Sequence, residues 1–177
     1  MKKKEVAGGI IVLFLITGVS GYLLAQVYKV TKPKIEEQKR IEEEKINKEI
    51  FPEGVKFEEK RKDEISYVSV YNSDGEEIGK IFKVKTLGYG GYILLKVGVN
   101  ENFKIKGVKI IHHSETPGLG SKITSEKFLS QFEGKTIDEI YLKKDNPEGK
   151  IDGITGATIS SRAVVDGIRK FLKKVKK

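Results

Sequence analysis

The stretch VAGGIIVLFLITGVSGYLLAQV, Val6 to Val27, contains no charged residue. At about 1.5 Å per residue a helix of roughly 20 residues crosses the ~30 Å hydrocarbon core of a bilayer. A run this long therefore fixes the plan of the chain before any other feature is considered. Residues 6–27 are expected to form a single transmembrane anchor. Lys2, Lys3 and Lys4 precede it and place the short segment 1–5 in the cytoplasm, with everything after Val27 outside. A cleaved signal peptide is the competing reading, but the run is longer than a signal core and no small-x-small site closes it.

Beyond the anchor the character inverts. Lys34 to Ile50 reads KIEEQKRIEEEKINKEI, where Glu36 and Arg40, or Glu44 and Lys48, have the spacing of supporting pairs on a solvated helix. Residues 28–62 are expected to be a charged helical stalk, and residues 63–177 the globular domain. The seven residues Ile65–Tyr71 alternate and end in Asn72-Ser-Asp-Gly75, a turn signal. Ile78–Val84 returns, ILLKVGVN makes a third strand, and Ile105–His112 follows the turn at Glu101-Asn102. A short helix is expected near Ser125 to Phe132, and a fifth strand at Ile137–Leu142. Val164, Ile168, Phe171, Leu172 and Val175 share one face of a closing helix. Hairpins with helices to one side define an α+β domain built on an antiparallel sheet.

Composition narrows the chemistry. The chain has no cysteine and only two histidines, His112 and His113, so disulfides, thiolate nucleophiles, iron–sulfur clusters and His-rich metal sites are not supplied by it. The two histidines are adjacent on a strand and point to opposite faces, so at most one could face a ligand. The net charge of +9 is spread along the chain without a nucleic-acid signature, and no nucleic-acid partner is expected.

What remains is a set of small loops. DGITGATISSR, Asp152 to Arg162, puts two glycines and four hydroxyls at the mouth of the last helix. Unpaired N–H groups and the helix dipole make such a place suited to an anion. Gly156 and Ala157 leave it open, Thr155, Thr158, Ser160 and Ser161 offer hydroxyls, and Arg162 is a nearby cation. The same residues also fit a plain helix cap made by Thr158 or Ser160. Two further loops, LGYGGY (Leu87–Tyr92) and ETPGLG (Glu115–Gly120), interrupt the strands with glycines, and Tyr89, Tyr92 or Leu119 could lie against a flat ring.

Taken together, DGITGATISS, LGYGGYI and HSETPGLGSKI resemble the FMN-binding domain of the G subunit of the Rnf electron-transport complex. The related C subunit of the sodium-pumping NADH:quinone reductase shares that domain. The resemblance runs from the anchor to the last helix, and the compactness of the chain favours the Rnf subunit. It implies a single FMN, joined through its phosphate by a flavin transferase to the last threonine of an Asp-x-x-Ser/Thr-Gly-Ala-Thr motif. Asp152, Thr155, Gly156, Ala157 and Thr158 match that motif, so Thr158 is the implied attachment residue. Thr155 and Ser160 are expected to stabilise the phosphodiester, and Gly90, Gly91, Thr116, Gly118 and Leu119 to line the ring. Glu115 is expected either to hold its loop or to contact the flavin. The implied role is an electron relay, not catalytic alone, in a membrane complex that passes electrons between ferredoxin and NAD and moves ions. Its partners would be the other subunits, the transferase and the bilayer. No metal site is expected. The rivals are the quinone-reductase C subunit, and a sensing or scaffold ectodomain, against which the very short segment before Val6 counts.

Overall fold

In a computed structural model, residues 2–62 and 64–176 are described, and the expected domain start at position 63 lies outside them. The chain divides into two units, Met1–Glu43 and Glu44–Lys177. The described residues of the first are all helical, part of α1 (Lys2–Ile50), with Pro33 inside it. It holds a stretch long and apolar enough to cross a membrane, with mean hydropathy 2.2, and its large apolar side chains from Ile10 to Val30 are exposed. That exposure suits a lipid surround better than water.

The second unit is a five-stranded antiparallel meander in sequence order. Its strands are β1 (Lys56–Lys62), β2 (Ile65–Tyr71), β3 (Glu77–Leu87), β4 (Tyr92–Asn100) and β5 (Ile105–His112). Two of the turns are built by asparagine. Asn72 Oδ1 accepts from the N–H groups of Asp74 and Glu76, and Asn100 Oδ1 from those of Asn102 and Lys104, at 2.9–3.0 Å. The expected turns at Asn72–Gly75 and Glu101-Asn102 are therefore present.

Two expectations are corrected. Residues 56–62 are not stalk: α1 stops at Ile50 and this segment pairs along the whole of β2. Six of its seven residues are charged, which disguises a strand as solvated helix, yet charge is what keeps an exposed edge strand from pairing with other chains. Ile137–Leu142 is not a strand. Glu139 Oε2 accepts from both the N–H and the hydroxyl of Thr136, at 2.9 and 3.0 Å, and winds the segment into a turn. Only Leu142 forms an isolated bridge, to Ile151.

One face of the sheet carries Phe82, Val84, Ile93, Leu95, Val97 and Val99, all buried against α3 (Thr158–Val175) and the short helix α2 (Glu126–Leu129). Short 3₁₀ segments flank α2: Ser130–Phe132 falls within the expected helical region, and Gly120–Thr124 extends the helical structure ahead of it. From α3, Val164, Ile168 and Leu172 are fully buried, while Phe171 and Val175 pack at the margin as the periodicity requires. The opposite face is closed by the end of α1. Ile50 and Phe51 lie over Gly79 and Gly98, where a Cβ at Gly79 would stand 2.5 Å from the Phe51 ring and one at Gly98 would strike Ile50. Between them and the sheet, Asn47 Oδ1 accepts from the buried Lys96 ammonium at 2.8 Å.

Candidate functional site

At one end of the sheet three segments meet: the β3–β4 loop, residues 113–120 after β5, and the first turn of α3. Glu115 joins them. Its carboxylate is 5 % exposed, accepts from the Gly90 N–H at Oε1 (3.1 Å), and accepts from the Ser160 hydroxyl at Oε2 across 45 residues. A buried carboxylate with both oxygens satisfied is a strut rather than a free acid. Gly120 is required by it, because a Cβ there would lie 2.8 Å from Glu115 Oε2 and 3.0 Å from Ser160 Oγ. Gly90 likewise packs its Cα against the carbonyl of Ser114.

The segments enclose a cleft of about 580 Å³, lined by Tyr89, Glu115, Thr116, Leu119, Gly120, Gly156, Ala157, Thr158, Ile159 and Ser160. Its floor is the start of α3. Ala157 is the N-cap residue, and neither Thr158 nor Ser160 caps the helix: no side chain bonds to the first turn. The Ser160 hydroxyl is drawn to Glu115, and the Ser161 hydroxyl serves the Ala157 carbonyl and the Ile154 N–H. The first intrahelical bond is Ser161 N–H to the Ala157 carbonyl, at 3.0 Å. The N–H groups of Thr158, Ile159 and Ser160 thus have no partner among the described residues. A helix end left uncapped in a cleft is a place for an anion to complete. Gly156, at φ 80°, makes the turn that leads into it. Thr158 is half-buried, and its hydroxyl makes no hydrogen bond among the described residues.

Of the residues expected at the site, Thr158, Gly156, Ala157, Ser160, Glu115, Thr116 and Leu119 line this cleft. Gly90 shapes it from behind through Glu115, while Gly91 (φ 152°) and Gly118 (φ 76°) turn the two loops. Asp152 and Thr155 lie elsewhere, on a second cleft beyond the motif loop. Arg162 does not approach the cleft, because Asp145 takes its guanidinium in two bonds, at 2.7 and 2.6 Å. That pair lowers the Asp145 carboxyl below its ordinary range and raises Arg162. Among the described residues no lysine or arginine lines the cleft. Neither histidine does either. His112 ends β5, paired with Leu94, and His113 Nδ1 accepts the Glu115 N–H at 3.2 Å. The sequence does not single out Gly120 or Ile159 for the cleft, and it offers Tyr89 only as a platform beside Tyr92. Tyr92 instead lies outside, under the Lys85 ammonium at 4.0 Å from its ring centre.

The residues present suit FMN. Three uncapped N–H groups and a free hydroxyl are the donors a phosphate takes, and Tyr89, Leu119 and Ile159 offer apolar surface for a ring. Comparison with known proteins agrees. The FMN-binding domain family matches residues 88–173. The G subunit of an ion-translocating oxidoreductase complex from Methanosarcina acetivorans is 33% identical over 93% of this chain and 92% of its own length. The G subunit of the Na(+)-translocating ferredoxin:NAD(+) oxidoreductase complex from Acetobacterium woodii is 32% identical over 89% of this chain and 86% of its own. The crystal structure of NqrC from Shewanella oneidensis superposes with a TM-score of 0.50 at 23% identity, over 71% of this chain and 73% of that one, a likeness of fold. With an uncapped helix in a glycine-framed cleft and relatives matched along nearly their whole length, this chain belongs to the G-subunit family of ion-translocating oxidoreductase complexes.

Proposed function

We propose that this chain is the flavoprotein subunit that relays electrons within an ion-translocating oxidoreductase complex of the ferredoxin:NAD type, carrying one FMN bonded through its phosphate to Thr158. The observation that carries the reading is the start of α3, where Thr158, Ile159 and Ser160 line one cleft and, among the described residues, no side chain caps their N–H groups. In forming the link, Thr158 Oγ bonds to the phosphorus of an activated FMN donor, such as a flavin dinucleotide. The bond from that phosphorus to its leaving phosphate breaks, and the hydroxyl proton passes to a base of the transferase. FMN, when bound, supplies a ring that takes up and returns electrons.

The chain's own residues hold and orient. The N–H groups of Thr158, Ile159 and Ser160 would meet the phosphodiester charge at the positive end of α3. Glu115 fixes the distance between the phosphate end and the two glycine loops, through Gly90 and Ser160. Tyr89, Leu119 and Ile159, exposed along the cleft, would cover the ring and shield it from water. The apolar stretch of α1 anchors the subunit in the cytoplasmic membrane, with the three N-terminal lysines inside and the flavin domain on the extracytoplasmic side. The remaining subunits of the complex are its partners.

Intact mass decides the covalent step. Coexpression with a flavin transferase is expected to add the mass of FMN less one water to the wild-type chain and nothing to Thr158→Ala. An unmodified wild-type chain under those conditions would overturn the proposal.

A further inference from the structure

The flavinylation motif has two faces, and FMN accounts for only one. Gly156, Ala157 and Thr158 line the first cleft, whereas Asp152 and Thr155 line a second, of about 640 Å³, with Lys122, Lys127, Phe128 and Gln131. The two clefts are lined by successive residues of one segment, 152–155 and 156–160, which leads into α3.

This second face is held firmly and yet leaves chemistry unused. Gln131 grips the Asp152 backbone at both ends: its Oε1 accepts the Asp152 N–H at 2.7 Å, and its Nε2 donates to the Asp152 carbonyl at 3.3 Å. The Asp152 carboxylate is thereby turned outward, 66% exposed, with Lys143 at 2.8 Å as its ion-pair partner. Among the described residues, the Thr155 hydroxyl makes no hydrogen bond and neither Lys122 nor Lys127 makes an ion pair. Phe128 closes the floor. Two lysines, Lys122 and Lys127, line the cleft, and its one carboxylate, Asp152, is already paired with Lys143, so this face is basic.

We propose that the second cleft is the docking surface for the enzyme that transfers FMN to Thr158, received through carboxylates opposite Lys122 and Lys127. The inference rests on the covalent reading above. The transfer fills the first cleft with the incoming flavin, so the enzyme's own grip must lie outside it and still reach Thr158. The second cleft meets both conditions, being one loop away with its backbone already fixed. A basic rim speeds encounter with an acidic partner and sets its register without taking part in the chemistry.

The test is steady-state flavinylation of the full-length chain in detergent, with a purified transferase and a flavin dinucleotide donor. Lys122→Glu/Lys127→Glu is expected to raise KM for the acceptor chain roughly tenfold, with kcat unchanged and a flatter dependence on salt. Lys173→Glu/Lys174→Glu makes the same change in net charge at the far end of α3 and is expected to leave KM as it was. Lys122→Gln/Lys127→Gln, matched to wild type in thermal midpoint, is expected to fall between. If wild type is labelled and KM does not move in Lys122→Glu/Lys127→Glu, or moves equally in the control pair, the docking inference fails alone. If wild type takes no label, the covalent reading fails and this inference falls with it.

Discussion

Glu115 shows how one residue can hold a site without acting in it. Its two oxygens bind a loop N–H and a helix hydroxyl, and truncation leaves the buried Ser160 hydroxyl without its partner. Glu115→Ala is expected to cost about 1–3 kcal/mol, measured by urea unfolding, the usual cost of one buried polar group left unpaired. An unchanged midpoint would remove the strut role. The same residue marks a limit of sequence reading. A glutamate in a glycine-rich loop announces a contact, and a loop-supporting bond is the natural expectation, but nothing in ETPGLG names Ser160 as the partner. Arg162 shows the converse. It follows the motif closely in sequence, yet Asp145 draws it to another surface.

At the scale of elements, legibility follows periodicity. Phe82 and Val84 of β3 and Ile93, Leu95, Val97 and Val99 of β4 fall at every second position, and α3 repeats its apolar residues at helical spacing, because packing of the sheet face against the helices imposes both patterns. β1 has no buried face to impose one, and Ile137–Leu142 buries its isoleucines from a turn rather than a strand. That turn is electrostatically set. Lys150, at 2.6 Å, and then the N–H and hydroxyl of Thr136 bring the Glu139 carboxyl down to about 2 from its ordinary 4.5. A lowered pKa in the fold means that the carboxylate's stabilising effect is complete above about pH 4.5 and is lost as pH falls toward 2. The difference in thermal midpoint between wild type and Glu139→Gln should accordingly be constant from pH 7 to 5 and close on acidification below that. A gap that does not vary with pH would show the turn to be held by other means.

For the molecule as a whole, the boundary between its units is not the end of the helix. Ile50 and Phe51, at the end of α1, belong to the core of the globular unit, where they cover Val68, Val70 and Ile81. A fragment starting at residue 44 is expected to unfold at the same denaturant concentration as the detergent-solubilised full chain. One starting at residue 53 is expected to lose at least about 3–5 kcal/mol, the usual cost of removing a single large buried side chain. Equal stability of the two fragments would show the back face to be dispensable. The anchor is legible because length and apolarity suffice to read it; this cover is not, because its residues sit at the end of a charged run that otherwise reads as solvated.

The tie from Glu115 to Ser160 also bears on how the subunit is made. Two loops and a helix end distant in the chain are locked together by the protein's own bonds, so the receptacle stands ready before any pigment arrives. Under the proposed attachment, biogenesis has an order: the polypeptide finishes first and is charged afterwards. A misfolded copy would offer no such receptacle and would stay colourless, so the yellow of a loaded chain would certify its folding.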